Sequence, residues 1–71
     1  MTILNLDQKK KYHPLIVATE AILKAPKNQE IQIVMSDKFL SKEIKNFLIA
    51  INIGFREIYN NEQIIIQFHT K

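Results

Sequence analysis

The chain has 71 residues, none of them cysteine, with one glycine and two prolines. This length predicts one domain with a small hydrophobic core. The lack of cysteine excludes disulfides, cysteine-ligated metal sites and thiol chemistry. The net charge of +3 comes entirely from residues 1–27, where five lysines outnumber Asp7 and Glu20. Such a basic excess indicates either an anionic partner or a solvated loop whose charge aids solubility.

The sequence also limits where the protein acts. No apolar run reaches the roughly 18 residues that a membrane span needs. The first residues lack the basic-then-apolar order of a signal peptide. We therefore expect a cytoplasmic protein that does not bind membranes.

The first half of the chain predicts a strand, a polar loop and a helix. Residues 2–5 form a short candidate strand, and a polar loop follows at 7–13. Pro14 suits the first turn of a helix because its missing N–H would have no partner there, and we expect the helix to stop at Pro26. At 100° steps, its broad apolar face consists of Leu15, Val17, Ala18, Ala21, Ile22 and Ala25. Ile16 and Leu23 lie on a separate flank, either as core edge or as an exposed contact stripe.

The second half predicts three strands and one helix. Residues 30–35 read as a strand whose continuous apolar end at 33–35 indicates a central position. Ser36 and Asp37 can both cap the next helix, over about 38–51. The apolar stripe of this helix is Leu40, Ile44, Phe47, Leu48 and Ile51. Ile49 is the one conspicuous apolar residue on its polar side. Gly54 follows the helix, where a positive φ is often required. Strands at 55–59 and 63–69 are joined by a turn at 60–62.

These elements predict an α+β fold, a two-layer α/β sandwich of order β-α-β-α-β-β. The single domain over residues 1–71 would have a four-stranded mixed sheet with both helices on one face. With only two helices, the other face stays open. Alternation then exposes Gln32, Gln67 and His69 there, provided that Ile31, Ile33, Ile66 and Phe68 point inward.

No catalytic constellation stands out in the sequence. A single glycine cannot build a phosphate-binding loop, and two serines and two histidines at unrelated spacing make no triad. We therefore expect no enzymatic activity, no cofactor and no metal site. The entry to the first helix is the most informative stretch. The candidate residues for binding a partner or an anion are Lys9, Lys10, Lys11, Tyr12, His13, Pro14 and Ile16.

Two interpretations of this stretch remain open. A helix N-terminus offers free N–H groups and the positive end of the helix dipole, so lysines beside it favour an anion. A flexible lysine-rich loop would look the same. Tyr12 and His13 could stack on a base or a flavin ring, or they could serve as a helix cap and a staple on the core. Phe55 and Phe68 fit the core better than a ligand site.

The same stretch carries a resemblance to a known family. The order of elements, with Pro14 opening the first helix, resembles the TusA/SirA-like family of small sulfur-carrier proteins. That family has a Cys-Pro-x-Pro motif at this helix start, and residues 11–14, Lys-Tyr-His-Pro, occupy its place. Leu4 and Asn5 stand nine residues ahead of the proline, where the family often has Leu-Asp.

Later positions extend the resemblance over nearly the whole chain. Asp37 matches an Asp-Pro stretch after the second strand, and residues 43–44 with Phe47 match an Asp-Ile pair and an aromatic in the second helix. Residues 54–55, Gly-Phe, resemble the Gly-His that opens the third strand, and the run at 64–69 resembles the final strand. In the family the motif cysteine carries a persulfide, which Lys11 cannot do.

The resemblance thus implies the fold and a habit of docking partners at this helix end, without sulfur transfer. We expect a non-catalytic module that binds a protein through residues 9–14 with Ile16 and Leu23. Its partner would be a sulfur-relay or redox enzyme that it regulates or scaffolds. The alternative is a basic protein that binds RNA or a flavin or phosphate ligand. A third hypothesis is self-association through the open sheet face or the last strand, with the chain a monomer or a weak homo-oligomer.

Overall fold

The computed structural model describes residues 2–7 and 13–70 of the chain. It contains four strands and two helices in the order β-α-β-α-β-β. They are β1 (Thr2–Asn5), α1 (Pro14–Lys24), β2 (Glu30–Met35), α2 (Lys38–Ala50), β3 (Phe55–Asn60) and β4 (Gln63–His69).

The strands form one mixed sheet in the order β1-β2-β4-β3. β1 runs parallel to β2, and the other two pairings are antiparallel. One face of the sheet packs against both helices around a single core. Its members are Leu6, Ala18, Ile22, Ile31, Ile33, Met35, Leu40, Ile44, Leu48, Ile64, Ile66 and Phe68. The predicted two-layer α/β sandwich with both helices on one face is confirmed.

Helix α1 begins at Pro14, as the sequence predicts, and ends one residue earlier than expected, with Ala25 as its C-cap. Ala18 and Ile22 are buried, and the rest of the predicted apolar face is half-buried, with Leu15, Val17 and Ala25 packed against the core. Ile16 and Leu23 are exposed. Of the two positions that the sequence allowed for them, core edge or exposed stripe, the structure shows the exposed stripe.

Helix α2 ends in a hydrogen-bonding pattern that corrects one prediction. The Asn52 N–H donates to the Ile49 carbonyl at 3.0 Å, and the Ile53 N–H donates to the Leu48 carbonyl at 2.9 Å. This is the Schellman arrangement, which requires a left-handed residue just after the helix. Asn52 supplies it with φ 64°, and Gly54 has no positive φ. The expectation for Gly54 is wrong because asparagine tolerates the left-handed region and stands two residues earlier.

The last strand occupies the centre of the sheet. β4 pairs with β2 on one side and with β3 on the other. A tight turn with Asn61 at φ 58° joins β3 to β4. Self-association through the last strand is therefore excluded as an edge contact, since both of its sides are already paired. The edges of the sheet are β1 and β3.

The face away from the helices carries the predicted polar residues. Gln32 and Gln67 are half-buried neighbours on it, and His69 is exposed beside Glu30, with Nε2 and Oε1 3.5 Å apart. Val34 also lies on this face, so the run at 33–35 is buried on both sides of the sheet as expected for a central strand.

Candidate partner-binding groove

The topology brings the starts of both helices to one end of the molecule. β1 and β2 are parallel neighbours, so the helices that follow them both begin beyond the carboxyl ends of these two strands. Asp7 ties the two strand ends together, because its Oδ1 accepts from the Ser36 N–H at 2.8 Å and the Ser36 hydroxyl at 2.9 Å. A groove of about 380 Å³ lies between the helix starts. It is lined by His13, Pro14, Leu15, Asp37, Phe39, Leu40 and Glu43.

His13 caps the α1 side of the groove. Its Nδ1 accepts a hydrogen bond from the Leu15 N–H at 3.2 Å, and its carbonyl accepts from the Val17 N–H at 3.2 Å. Because Nδ1 is the acceptor, a neutral ring carries its proton on Nε2 and keeps one donor. Of the two functions that the sequence left open for His13, the structure shows the helix cap.

Asp37 caps the α2 side. Its Oδ1 accepts from the Phe39 N–H at 2.9 Å and from the Leu40 N–H at 3.3 Å. A carboxylate at this position also interacts favourably with the positive end of the helix dipole. The carboxylate thus satisfies the backbone donors that an external anion would otherwise contact.

Phe39 is the main apolar residue of the groove, and it is 71% exposed. It stands one residue before the buried Leu40, so its direction differs by about 100° from that of the core-facing stripe. Phe39 therefore lies beside Pro14 and Leu15 rather than in the core. Aromatic side chains, phenylalanine included, are enriched at the centres of protein interfaces, so the exposed ring of Phe39 is a candidate anchor for a partner.

The described charges at this groove are mainly negative. Asp37 is engaged in capping, and Glu43 is half-buried in the lining without a cation within ion-pair distance among residues 2–7 and 13–70. A groove with this rim favours a partner that brings an apolar side chain next to a basic one. It disfavours a phosphate, since the two carboxylates repel it. The first amides of α2 already donate to Asp37, and the Leu15 N–H of α1 already donates to His13.

Two of the predicted site residues line this groove. His13 and Pro14 line it, whereas Ile16 lies on the outer side of α1, 57% exposed and outside the lining. Lys9, Lys10, Lys11 and Tyr12 lie outside the described residues.

Sequence reasoning missed Phe39 and Glu43. The sequence marked Ile49 as the one apolar residue on the polar side of α2. Phe39 is a second large apolar residue that lies outside the apolar stripe of this helix. Helical periodicity alone contains this signal, because Phe39 projects far from the direction shared by Leu40 and Ile44. Glu43 carries no sequence signal of its own.

A second polar cluster lies at the far edge of the sheet. Glu57 Oε2 accepts from the Tyr59 hydroxyl at 2.6 Å and from Lys45 Nζ at 2.9 Å. These two hydrogen bonds, that of Tyr59 first, hold the pKa of the Glu57 carboxyl below its ordinary range. The same bonds to Glu57 raise the pKa of Lys45 and the pKa of Tyr59. The cluster joins α2 to β3, and none of its three members lines the groove between the helix starts.

Among residues 2–7 and 13–70, no group of three or more metal-ligating side chains comes together. None of the described helices has both the length and the apolar content to cross a membrane. Comparison of the chain with protein families, with curated proteins and with solved structures found no match.

Proposed function

We propose that the protein is a non-catalytic binding module that holds a segment of a partner protein in the groove between the two helix starts. The segment would place a bulky apolar side chain against Phe39 and a lysine or arginine near Glu43. The observation that carries the proposal is the exposed ring of Phe39 in a concave, carboxylate-rimmed site.

The chemistry of the site supports binding rather than catalysis. His13 Nδ1 and Asp37 Oδ1 both accept capping hydrogen bonds from backbone N–H groups, so each side chain is held in place as a helix cap. The chain has no cysteine, so a persulfide cannot be carried on it. The resemblance to the sulfur carriers predicts a sulfur-relay or redox enzyme as the partner, and that part of the proposal rests on the resemblance alone.

The alternative ligand, RNA or a flavin or phosphate compound, has its support in the lysines at 9–11. The groove itself does not favour it, because Asp37 and Glu43 face the space that an anion would enter. Titration with RNA and with flavin mononucleotide separates the two hypotheses. We expect no change of the groove amide resonances with either ligand, and shifts centred on 13–15 and 37–43 would favour the alternative.

A peptide library displayed on phage and selected against the full chain supplies the probe for the main hypothesis. We expect selected peptides to share an apolar residue beside a basic one and to shift the amide resonances of Phe39 and Glu43. The Phe39→Ala variant should bind them at least about 10-fold more weakly, since truncation of an aromatic anchor costs about 2 kcal/mol.

The matched control is Ile49→Ala, because Ile49 is 65% exposed on the same helix but lies outside the groove. This variant should bind normally. His13→Asn tests the α1 side without loss of the cap, since asparagine is itself a good N-cap residue. Selected peptides that bind equally well to the Phe39→Ala chain would contradict the proposed site.

A further inference from the structure

We propose that β3 pairs with β3 of a second copy of this chain, across a two-fold axis perpendicular to the sheet. β3 is an edge strand of six residues, whereas β1, the other edge, has four. β3 pairs with β4 in unbroken register through Phe55–Asn60 without a bulge, and it contains no proline. Natural proteins shorten, bulge or cover an edge that stays unpaired, or place charged side chains on it. Among the described residues β3 is neither short, bulged nor covered. Its two charged residues are Arg56 and Glu57, and Glu57 is already neutralised by Lys45.

The hairpin defines which backbone groups point outward. Asn60 pairs with Gln63 across a two-residue turn, and residues that close such a turn form a hydrogen-bonded pair. Hydrogen-bonded and non-hydrogen-bonded pairs alternate along an antiparallel ladder. The N–H and C=O groups of Glu57 and Tyr59 therefore point away from β4 and are free to pair with another strand.

Charge and length select one register for a β3–β3 pair. A two-fold axis perpendicular to the sheet makes the strands antiparallel and keeps each residue opposite one on the same face. Centring the axis on Arg56 or on Glu57 places like charges opposite each other. Centring it on Tyr59 leaves a shorter overlap than centring it on Ile58.

The Ile58 register satisfies both the backbone and the side chains. Glu57 then lies opposite Tyr59 of the second copy, and these outward-facing residues form about four backbone hydrogen bonds across the axis. Arg56 lies opposite Asn60 of the second copy, so no like charges face each other directly. Ile58 meets its own counterpart in a non-hydrogen-bonded pair, where side chains approach most closely.

The face without helices argues for a second copy rather than an unrelated strand. Ile58, Ile65 and Val34 are cross-strand neighbours on that face and form a short apolar row. In the Ile58 register this row meets its own copy end to end, giving six β-branched side chains across the two-fold axis. Such cross-strand pairs are the unit of sheet stabilisation.

The expected association is weak. Five paired residues per strand bury less than the roughly 800 Å² per partner of a standard interface. We therefore expect the dimer to form reversibly as the concentration rises. Sedimentation of the wild-type chain should show a mass that increases from the monomer value of 8.3 kDa toward twice that value at millimolar concentration.

Single cysteines test the register, because the chain contains none of its own. Ile58→Cys should form an intermolecular disulfide rapidly under mild oxidation. Opposed Cα atoms in a non-hydrogen-bonded pair are about 4.5 Å apart, which lies within the range for a disulfide. Arg56→Cys and Asn60→Cys should each cross-link poorly alone and well when mixed, because only the mixture places two cysteines opposite each other.

The mixed pair retains Ile58 and so guards against loss of the apolar contact in the first variant. Ile58→Lys gives the complementary control, since two ammonium groups at the axis should keep the chain monomeric with an unchanged circular dichroism spectrum. A wild-type chain that remains at 8.3 kDa at millimolar concentration would overturn the proposal. Equal cross-linking of Ile58→Cys and Arg56→Cys would also overturn it, because it would indicate random collision.

Discussion

The hydroxyl of Thr70 supports the turn between α1 and β2, and its removal should measurably destabilise the protein. Thr70 is buried and donates from Oγ1 to the Pro26 carbonyl at 2.5 Å, while the same oxygen accepts from the Gln29 N–H at 2.9 Å. Thr70→Val keeps the shape of the side chain and removes both bonds. The backbone bonds of residue 70 to Asn28 and Gln29 are left in place, so the change isolates the hydroxyl.

The expected cost of Thr70→Val is about 2 kcal/mol, since each unpaired group costs about 1–3 kcal/mol and Pro26 and Gln29 are near enough to solvent to fall at the low end. A domain of this size loses about 4–8 °C in Tm for each kcal/mol. Urea denaturation followed by circular dichroism measures the free energy of unfolding, with Thr70→Ser as the control.

Thr70→Ser keeps the hydroxyl and loses one methyl group, which costs about 0.8 kcal/mol. The expected order of stability, from highest to lowest, is therefore wild type, Ser variant and Val variant. A Val variant as stable as the wild type would refute it, because the two hydrogen bonds would then contribute nothing beyond the shape of the side chain.

Five further substitutions, at four positions, test other parts of the structure. Glu57→Gln should lower the free energy of unfolding near neutral pH but have little effect in acid. Because the folded-state pKa of Glu57 is lowered, its stabilising contribution is present above the ordinary glutamate pKa and is lost as the pH falls through the folded-state pKa. Unfolding of the wild type and the variant across the acid range measures the difference. Asp37→Ala should lower the free energy of unfolding by about 1 kcal/mol, because the helix cap is lost. Asp37→Asn should keep most of the stability and yet bind basic peptides more weakly. Unfolding titrations and peptide-binding titrations measure the two effects separately. Asn52→Ala should lower the free energy of unfolding by about 1 kcal/mol, because the φ of 64° at this position is unfavourable for alanine. Gly54→Ala should raise it by about 0.5 kcal/mol, since an added Cβ meets no atom within 4 Å and φ is not positive there. Equal effects at 52 and 54 in urea denaturation would contradict the assignment of the left-handed position.

Local sequence signals predicted the elements of this fold almost to the residue. Pro14 fixes the start of α1 because only the first turn of a helix tolerates a missing N–H, and Asp37 marks the start of α2 because its side chain can replace the missing acceptors. Alternation along 63–69 separated Ile64, Ile66 and Phe68 from their polar neighbours, and these three are buried in the core. Each of these signals lies within seven consecutive residues.

The remaining features depend on contacts between distant parts of the chain. Strand order is one: the antiparallel pairing that puts β4 in the centre follows from packing, and no local pattern distinguishes it from an edge position. The groove is another, because Phe39 and Pro14 are 25 positions apart and meet only after β1 and β2 pair in parallel. Helical periodicity contains the signal that Phe39 lies outside the core-facing stripe of α2, but only the neighbouring helix places that side chain in a groove.

The two proposed surfaces lie at different places on the sheet, which determines how they would combine. The groove is formed at the carboxyl ends of β1 and β2, and the pairing edge is β3, on the far side of β4. A two-fold axis perpendicular to the sheet keeps both helical layers on the same side, so neither groove would be covered by the second copy. A dimer would then present two grooves to a partner that has two matching segments, and the second contact would benefit from the effective concentration set by the first. Ile58→Lys would therefore reduce the apparent affinity for a two-segment peptide without changing that for a single segment, whereas Phe39→Ala would reduce both.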